Sequence, residues 1–94
     1  WFAFPLIVKE KAPFTRTDLQ IFLEERNIQT RVIFTGNIIR QPAFKEIEKK
    51  VSKEGYPVAD RVMARGFLLA NHHGLTAEMI AHVHESVEIF IKKY

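Results

Sequence analysis

Residues 28–44, Ile-Gln-Thr-Arg-Val-Ile-Phe-Thr-Gly-Asn-Ile-Ile-Arg-Gln-Pro-Ala-Phe, join two kinds of backbone in one segment. Thr30, Val32, Ile33 and Phe34 are β-branched or aromatic, so the first half predicts a strand. Thr35-Gly36-Asn37 breaks it, because Gly and Asn tolerate positive φ. Arg40 and Gln41 then bring planar polar groups, and Pro42 stops any regular element. Two readings are open. One is an ordinary surface loop. The other is a strand feeding a turn that aims hydrogen-bond donors at an anion.

Upstream, Phe14-Thr15-Arg16-Thr17-Asp18-Leu19 predicts a helix start. Thr15 is the cap and Asp18 its acidic partner three residues on, with Phe14 and Leu19 at the staple positions. Asp18 also suits the positive end of the helix dipole. Leu19, Phe22, Leu23 and Arg26 share one side at helical spacing, and Asn27 is the stop. Residues 1–8 are almost wholly apolar, which predicts a strand buried on much of both faces. Pro5 places that strand near an edge or a bulge. A chain that begins Trp1-Phe2-Ala3-Phe4, without an initiator Met, is expected to be a piece of a longer protein.

Downstream, Phe44, Ile47 and Val51 allow a short, exposed amphipathic helix over 43–54. Gly55-Tyr56-Pro57 breaks the chain. Val58 to Arg65 predicts another helix with Val58, Val62 and Met63 inward, and Phe67–Ala70 a short buried strand. Asn71-His72-His73-Gly74 is a turn. Thr76 caps the longest helix, with Glu78 in its first turn and Lys92 and Lys93 in its last. Met79, Ile80, Val83, Val87, Phe90 and Ile91 give that helix its apolar stripe. The order predicts one α+β domain over 1–94: a small antiparallel sheet of about three strands covered by helices.

The bulk numbers exclude several classes. The chain is 94 residues long, 47% hydrophobic and 27% charged, too apolar for a disordered chain. Its formal net charge is +3, with Lys and Arg scattered, so nucleic-acid binding is not required. There is no cysteine for a disulfide, a thiolate metal site or an iron–sulfur cluster. Neither a transmembrane span nor a signal peptide is visible, so no membrane partner and a cytoplasmic location are expected. His72 and His73 are adjacent, and His82 and His84 are two apart on a helix, so neither pair shares a face and no metal site is expected. His82 is expected to be exposed, with His84 at the border of the apolar stripe. No nucleophile elbow or phosphate-cradling glycine loop occurs. No residue is expected to be catalytic.

Gln29-Thr30-Arg31 with Phe34-Thr35-Gly36-Asn37 and Arg40-Gln41-Pro42-Ala43-Phe44 resembles the C-terminal small domain of a known family. It is the DegT-type family of fold-type-I pyridoxal-phosphate sugar aminotransferases and dehydratases, in particular the nucleotide-hexose 3-dehydratases of lipopolysaccharide biosynthesis. The Gly-Asn-x-x-Arg-Gln-Pro run is the specific part. Trp1–Leu6 resembles the first strand of that domain, Phe14–Leu19 its first helix, and Leu75–Ile80 the start of its last. The turn Asn71–Gly74 departs from the dehydratases, which carry an apolar-aromatic, Pro-containing turn there. The resemblance implies pyridoxal or pyridoxamine phosphate held by a large domain of the same parent chain. It also implies a homodimeric parent and a nucleotide-sugar substrate over which the small domain closes. Asn37, Arg40 and Gln41 would line the substrate side, and Gly36 would let the turn form. A nucleotide-sugar aminotransferase and a free-standing α+β interaction module are the alternatives.

Overall fold

In the computed structural model, which describes residues 1–94, helix α1 (Arg16–Glu25) starts and stops on its own sequence signals. Thr15 Oγ1 accepts from the Asp18 amide at 3.1 Å, and Asp18 Oδ2 accepts from the Thr15 amide at 2.8 Å, a reciprocal capping box. The Thr15 hydroxyl, which also donates to Asp18 Oδ2 at 2.7 Å, and then the Thr15 amide hold the Asp18 carboxyl below its ordinary value. At the other end Asn27 takes φ 60°, the left-handed conformation that Asn tolerates. Its amide donates to Glu24 O at 3.0 Å and the Ile28 amide to Leu23 O at 2.9 Å, a Schellman pair. Ile28 and Leu23, the apolar partners of this motif, are both buried.

Strands β1 (Ala3–Ile7) and β2 (Thr30–Val32) flank β3 (Gly66–Ala70), each antiparallel to it. Leu6 and Val32 both lie opposite Phe67, while Phe4 and Thr30 lie opposite Leu69. Side chains alternate along a strand, so these six residues form one face of the sheet. Helices α1 and α3 (Ala77–Ile91) cover it: Leu19 and Leu23 from one and Phe90 from the other join Phe67, Val8 and Ile28 in the core. The core is therefore carried by the central strand. Helix α2 (Pro57–Arg65) runs directly into β3, and Arg16 of α1 ties down that junction by donating Nη1 to Met63 O at 2.8 Å. Thr76 Oγ1 caps α3 on the Met79 amide at 3.2 Å.

The three-stranded antiparallel sheet and the helices over 16–25, 57–65 and 77–91 agree with the sequence reading. Four local expectations are corrected. The first strand lies at an edge, as Pro5 required, but Phe4 and Ile7 are exposed rather than buried on both faces. Strand β2 ends at Val32, because Phe34 turns into the left-handed region at φ 47° and points out. No α-helix forms over 43–54. A 3₁₀ turn at Pro42–Phe44 gives way to irregular chain in which Lys49 Nζ donates to the carbonyls of Phe44, Lys45 and Ile47. Ile47 and Val51 stay about half exposed, and a short helix without tertiary burial does not offset its nucleation cost. Val58 faces out from α2, and Met79, Ile80 and Ile91 face out from α3, so these apolar stripes are wider than the core they meet.

Candidate functional site

The segment between β2 and α2 is irregular but closely tied. The Gly36 amide donates to Ile33 O at 3.0 Å, closing the turn after β2. Gly36 has φ 67°, and a Cβ built there would stand 2.3–2.6 Å from Met63 Cβ, Cγ and Cα. Only glycine lets the loop lie this close to α2. Asn37 then caps a 3₁₀ turn, Ile38–Arg40, its Oδ1 accepting from the Ile39 amide at 3.3 Å. Gln41 Nε2 reaches back to Thr35 O at 2.9 Å and pins the two ends of the loop together.

Three polar side chains meet at its centre. Asn37 Nδ2 donates to Asp60 Oδ1 at 2.8 Å. Arg40 donates Nε to the same oxygen and Nη2 to Asp60 Oδ2, the latter at 2.8 Å. Asn37 is buried at 4% exposure. The Arg40 side chain, at 56%, stands open to solvent. The Arg40 guanidinium, and then the Asn37 amide, lower the Asp60 carboxyl to about 2, and the same pairing raises Arg40. Both groups are ionised throughout the neutral range. A guanidinium carries five N–H donors, so Asp60 leaves three on Arg40, and none of them bonds within the chain.

The structure thus joins Asn37 and Arg40 through Asp60, with Gly36 beneath them and Gln41 bracing the loop. Asp60 was not legible in the sequence. Its one signal is a lone acid in the first turn of α2, a position that the helix dipole explains equally well. The histidines lie elsewhere. His72 Nδ1 accepts from the Gly74 amide at 3.0 Å in its turn, and the exposed His82 meets Arg26 O through Nε2 at 2.9 Å. No group of three or more His, Cys, Asp or Glu side chains gathers for a metal ion. A groove of about 720 Å³ runs between Phe4 and Leu69 of the sheet and Met79, Val83 and Val87 of α3, and no residue of the 36–41 loop lines it. No helix is long and apolar enough to cross a membrane.

Comparisons with known proteins agree with this architecture. The model of the DegT/DnrJ/EryC1/StrS aminotransferase family matches residues 1–88. The chain is 40% identical over 93 residues to the dTDP-4-dehydro-2,6-dideoxy-D-glucose 3-dehydratase of Saccharopolyspora spinosa, covering 99% of this chain and 20% of that protein. It is 39% identical over 90 residues to the lipopolysaccharide biosynthesis protein RfbH of Salmonella typhimurium, covering 96% and 20%. It is 33% identical over 81 residues to the GDP-4-keto-6-deoxy-D-mannose 3-dehydratase of Yersinia pseudotuberculosis, covering 85% and 20%. A crystal structure of GDP-4-keto-6-deoxymannose-3-dehydratase with bound GDP-perosamine superposes with a TM-score of 0.81 at 25% identity, over 93% of this chain and 22% of that one. A second, with a trapped PLP-glutamate geminal diamine, gives 0.79 at 25% identity, over 92% and 22%. The chain therefore spans about 20% of the length of these curated relatives. With a family model matched from Trp1 to His84 and on to Glu88, this chain belongs to the DegT/DnrJ/EryC1/StrS aminotransferase family.

Proposed function

We propose that residues 1–94 are the C-terminal small domain of a nucleotide-sugar 3-dehydratase of deoxysugar and lipopolysaccharide O-antigen biosynthesis. In this reading the domain packs on the large domain of its parent, a homodimer of the cytoplasm, and closes over the nucleotide sugar. The names of the relatives support the reaction class. The observation that carries the role of this chain is Arg40, half exposed, held on one edge by Asp60 and open on the other. A diphosphate needs fixed cationic donors, and a guanidinium edge grips two of its oxygens at once. Asn37, expected on the substrate side, is instead buried and holds the loop from within through Asp60 and the Ile39 amide, while Gln41 braces it and Gly36 allows the loop its path.

Pyridoxal or pyridoxamine phosphate serves the parent as electron sink. Its ring needs an enclosed site, with a lysine or histidine at the aldehyde carbon and a partner for the ring nitrogen. The loop offers one open guanidinium edge, and Lys49 spends its ammonium on three backbone carbonyls. These residues do not fit the cofactor, and the large domain holds it. This chain binds and orients.

Arg40→Ala in the full-length protein tests the role. The KM for the nucleotide sugar is expected to rise about tenfold or more, the scale of a charge-assisted hydrogen-bonded pair. Unchanged affinity and rate would remove Arg40 from the site. The description of the matched family favours an aminotransferase as the second reading. A lysine at the cofactor aldehyde position of the parent would establish it, and a histidine there would exclude it.

A further inference from the structure

The substrate-side reading uses Arg40 and leaves unexplained why both oxygens of a neighbouring carboxylate are committed to the same loop. Asp60 takes the side edge of the guanidinium, Nε with one Nη2 donor, and also the Asn37 amide. Three Arg40 donors are left: the second on Nη2 and both on Nη1. One Nη2 donor and one Nη1 donor lie parallel on the end-on edge, with the spacing of two oxygens of one phosphate. Asn37 is itself buried and shapes the turn through the Ile39 amide, so Asp60 grips the loop at two side chains, the Asn37 amide and the Arg40 guanidinium.

We propose that Asp60 is a positioning residue for diphosphate recognition, fixing the plane of the Arg40 guanidinium so that its end-on edge is presented to the ligand. This rests on the reading that Arg40 faces the nucleotide sugar. The proposal has a sign that simple electrostatics does not share. Asp60 is an anion beside an anion-binding edge, so by charge alone its removal tightens binding of a diphosphate. If Asp60 sets orientation, its removal frees a long, flexible side chain that must then be ordered at each binding event, and binding weakens.

The test uses the full-length, cofactor-loaded protein, with inorganic pyrophosphate, GDP and dTDP titrated calorimetrically at fixed ionic strength. Asp60→Asn is expected to weaken the probes about tenfold. In an Arg40→Ala background the same substitution is expected to change nothing further, a result that a merely structural role would not give. Asp60→Glu keeps the charge and is expected to recover part of the loss. Should Asp60→Asn fail to fold, Asp60→Glu alone carries the test: weaker binding at an unchanged melting temperature supports the proposal, and unchanged binding overturns it. Equal or tighter binding by Asp60→Asn, with Arg40→Ala weakened, ends the positioning role and leaves the reading of Arg40 standing. Arg40→Ala binding like the wild type ends both.

Discussion

At Gly36 one hydrogen in place of a methyl group decides whether loop and helix can touch. Gly36 and Gly55 share nearly the same left-handed φ, 67° and 68°, but a Cβ at Gly55 meets nothing within 4 Å. The pair separates backbone strain from collision. Gly55→Ala is expected to cost about 1 kcal/mol, and Gly36→Ala about 2 kcal/mol or more, read from urea midpoints of the two variants. Equal costs would mean that the Met63 contact yields easily. Asp60 gives a pH signature. Its carboxyl is lowered in the fold from 3.8 to about 2. A depressed folded value stabilises above the unfolded value, and that contribution is lost as the pH falls through the folded one. The stability difference between wild type and Asp60→Asn is therefore expected to hold steady from neutral pH to about 5 and to shrink toward pH 2. Asp18, also lowered, titrates alike in both proteins and drops out of the difference. Gly36, Asn37 and Arg40 stood out in the sequence because turn residues and a planar cation follow directly on a β-branched run. Asp60 did not, since a carboxylate in a first helical turn looks the same whether it faces water or an arginine from 20 positions away.

At the scale of elements, the signals that were legible are those closed within a few residues. The Thr15–Asp18 box, the Asn27 stop and the Thr76 cap each bond partners no more than three residues apart, apart from the Schellman bond from Ile28 to Leu23. Arg26 was placed on the apolar side of α1 by spacing alone, and the reason is tertiary. Its Nε donates to Ser86 Oγ at 2.7 Å, and Ser86, fully buried, donates on to His82 O. With the His82 contact to Arg26 O, this clasps α1 to α3 beside their shared apolar core. Leu23, at 0% exposure, lies in that core. Leu23→Ala is expected to cost about 3 kcal/mol, with the denaturant midpoint falling at an unchanged m-value. A loss under about 1 kcal/mol would show that the core closes over the cavity. The segment 45–54 shows the opposite case, where spacing allowed a helix and the chain stays irregular and exposed.

The whole molecule is flat and thinly packed. Its extents are 49 × 32 × 19 Å, and its radius of gyration is 16.0 Å, against about 12 Å for a compact chain of this length. Only 10 of 94 residues are buried, and Trp1, Phe2 and Phe34 stand almost fully exposed. The sheet face opposite the helices leaves Pro5, Ile7 and Arg31 open. Exposed apolar surface on this scale favours association with other surfaces. The isolated chain is expected to self-associate as its concentration rises, with a sedimentation coefficient that climbs accordingly. A single monomeric boundary across a wide concentration range would contradict this.

The sequence by itself determined the three main helices, the caps of the first and last, the count of strands and the loop that breaks away after β2. Each follows from backbone preferences and apolar periods that operate over one or two turns of chain. Only the tertiary structure decided that Phe4 and Ile7 of the first strand stay exposed, that 45–54 stays irregular, and that Arg40 answers to Asp60. Those outcomes depend on which surfaces arrive from distant parts of the chain to bury a side chain or share a proton donor, and residue order alone does not encode that distance.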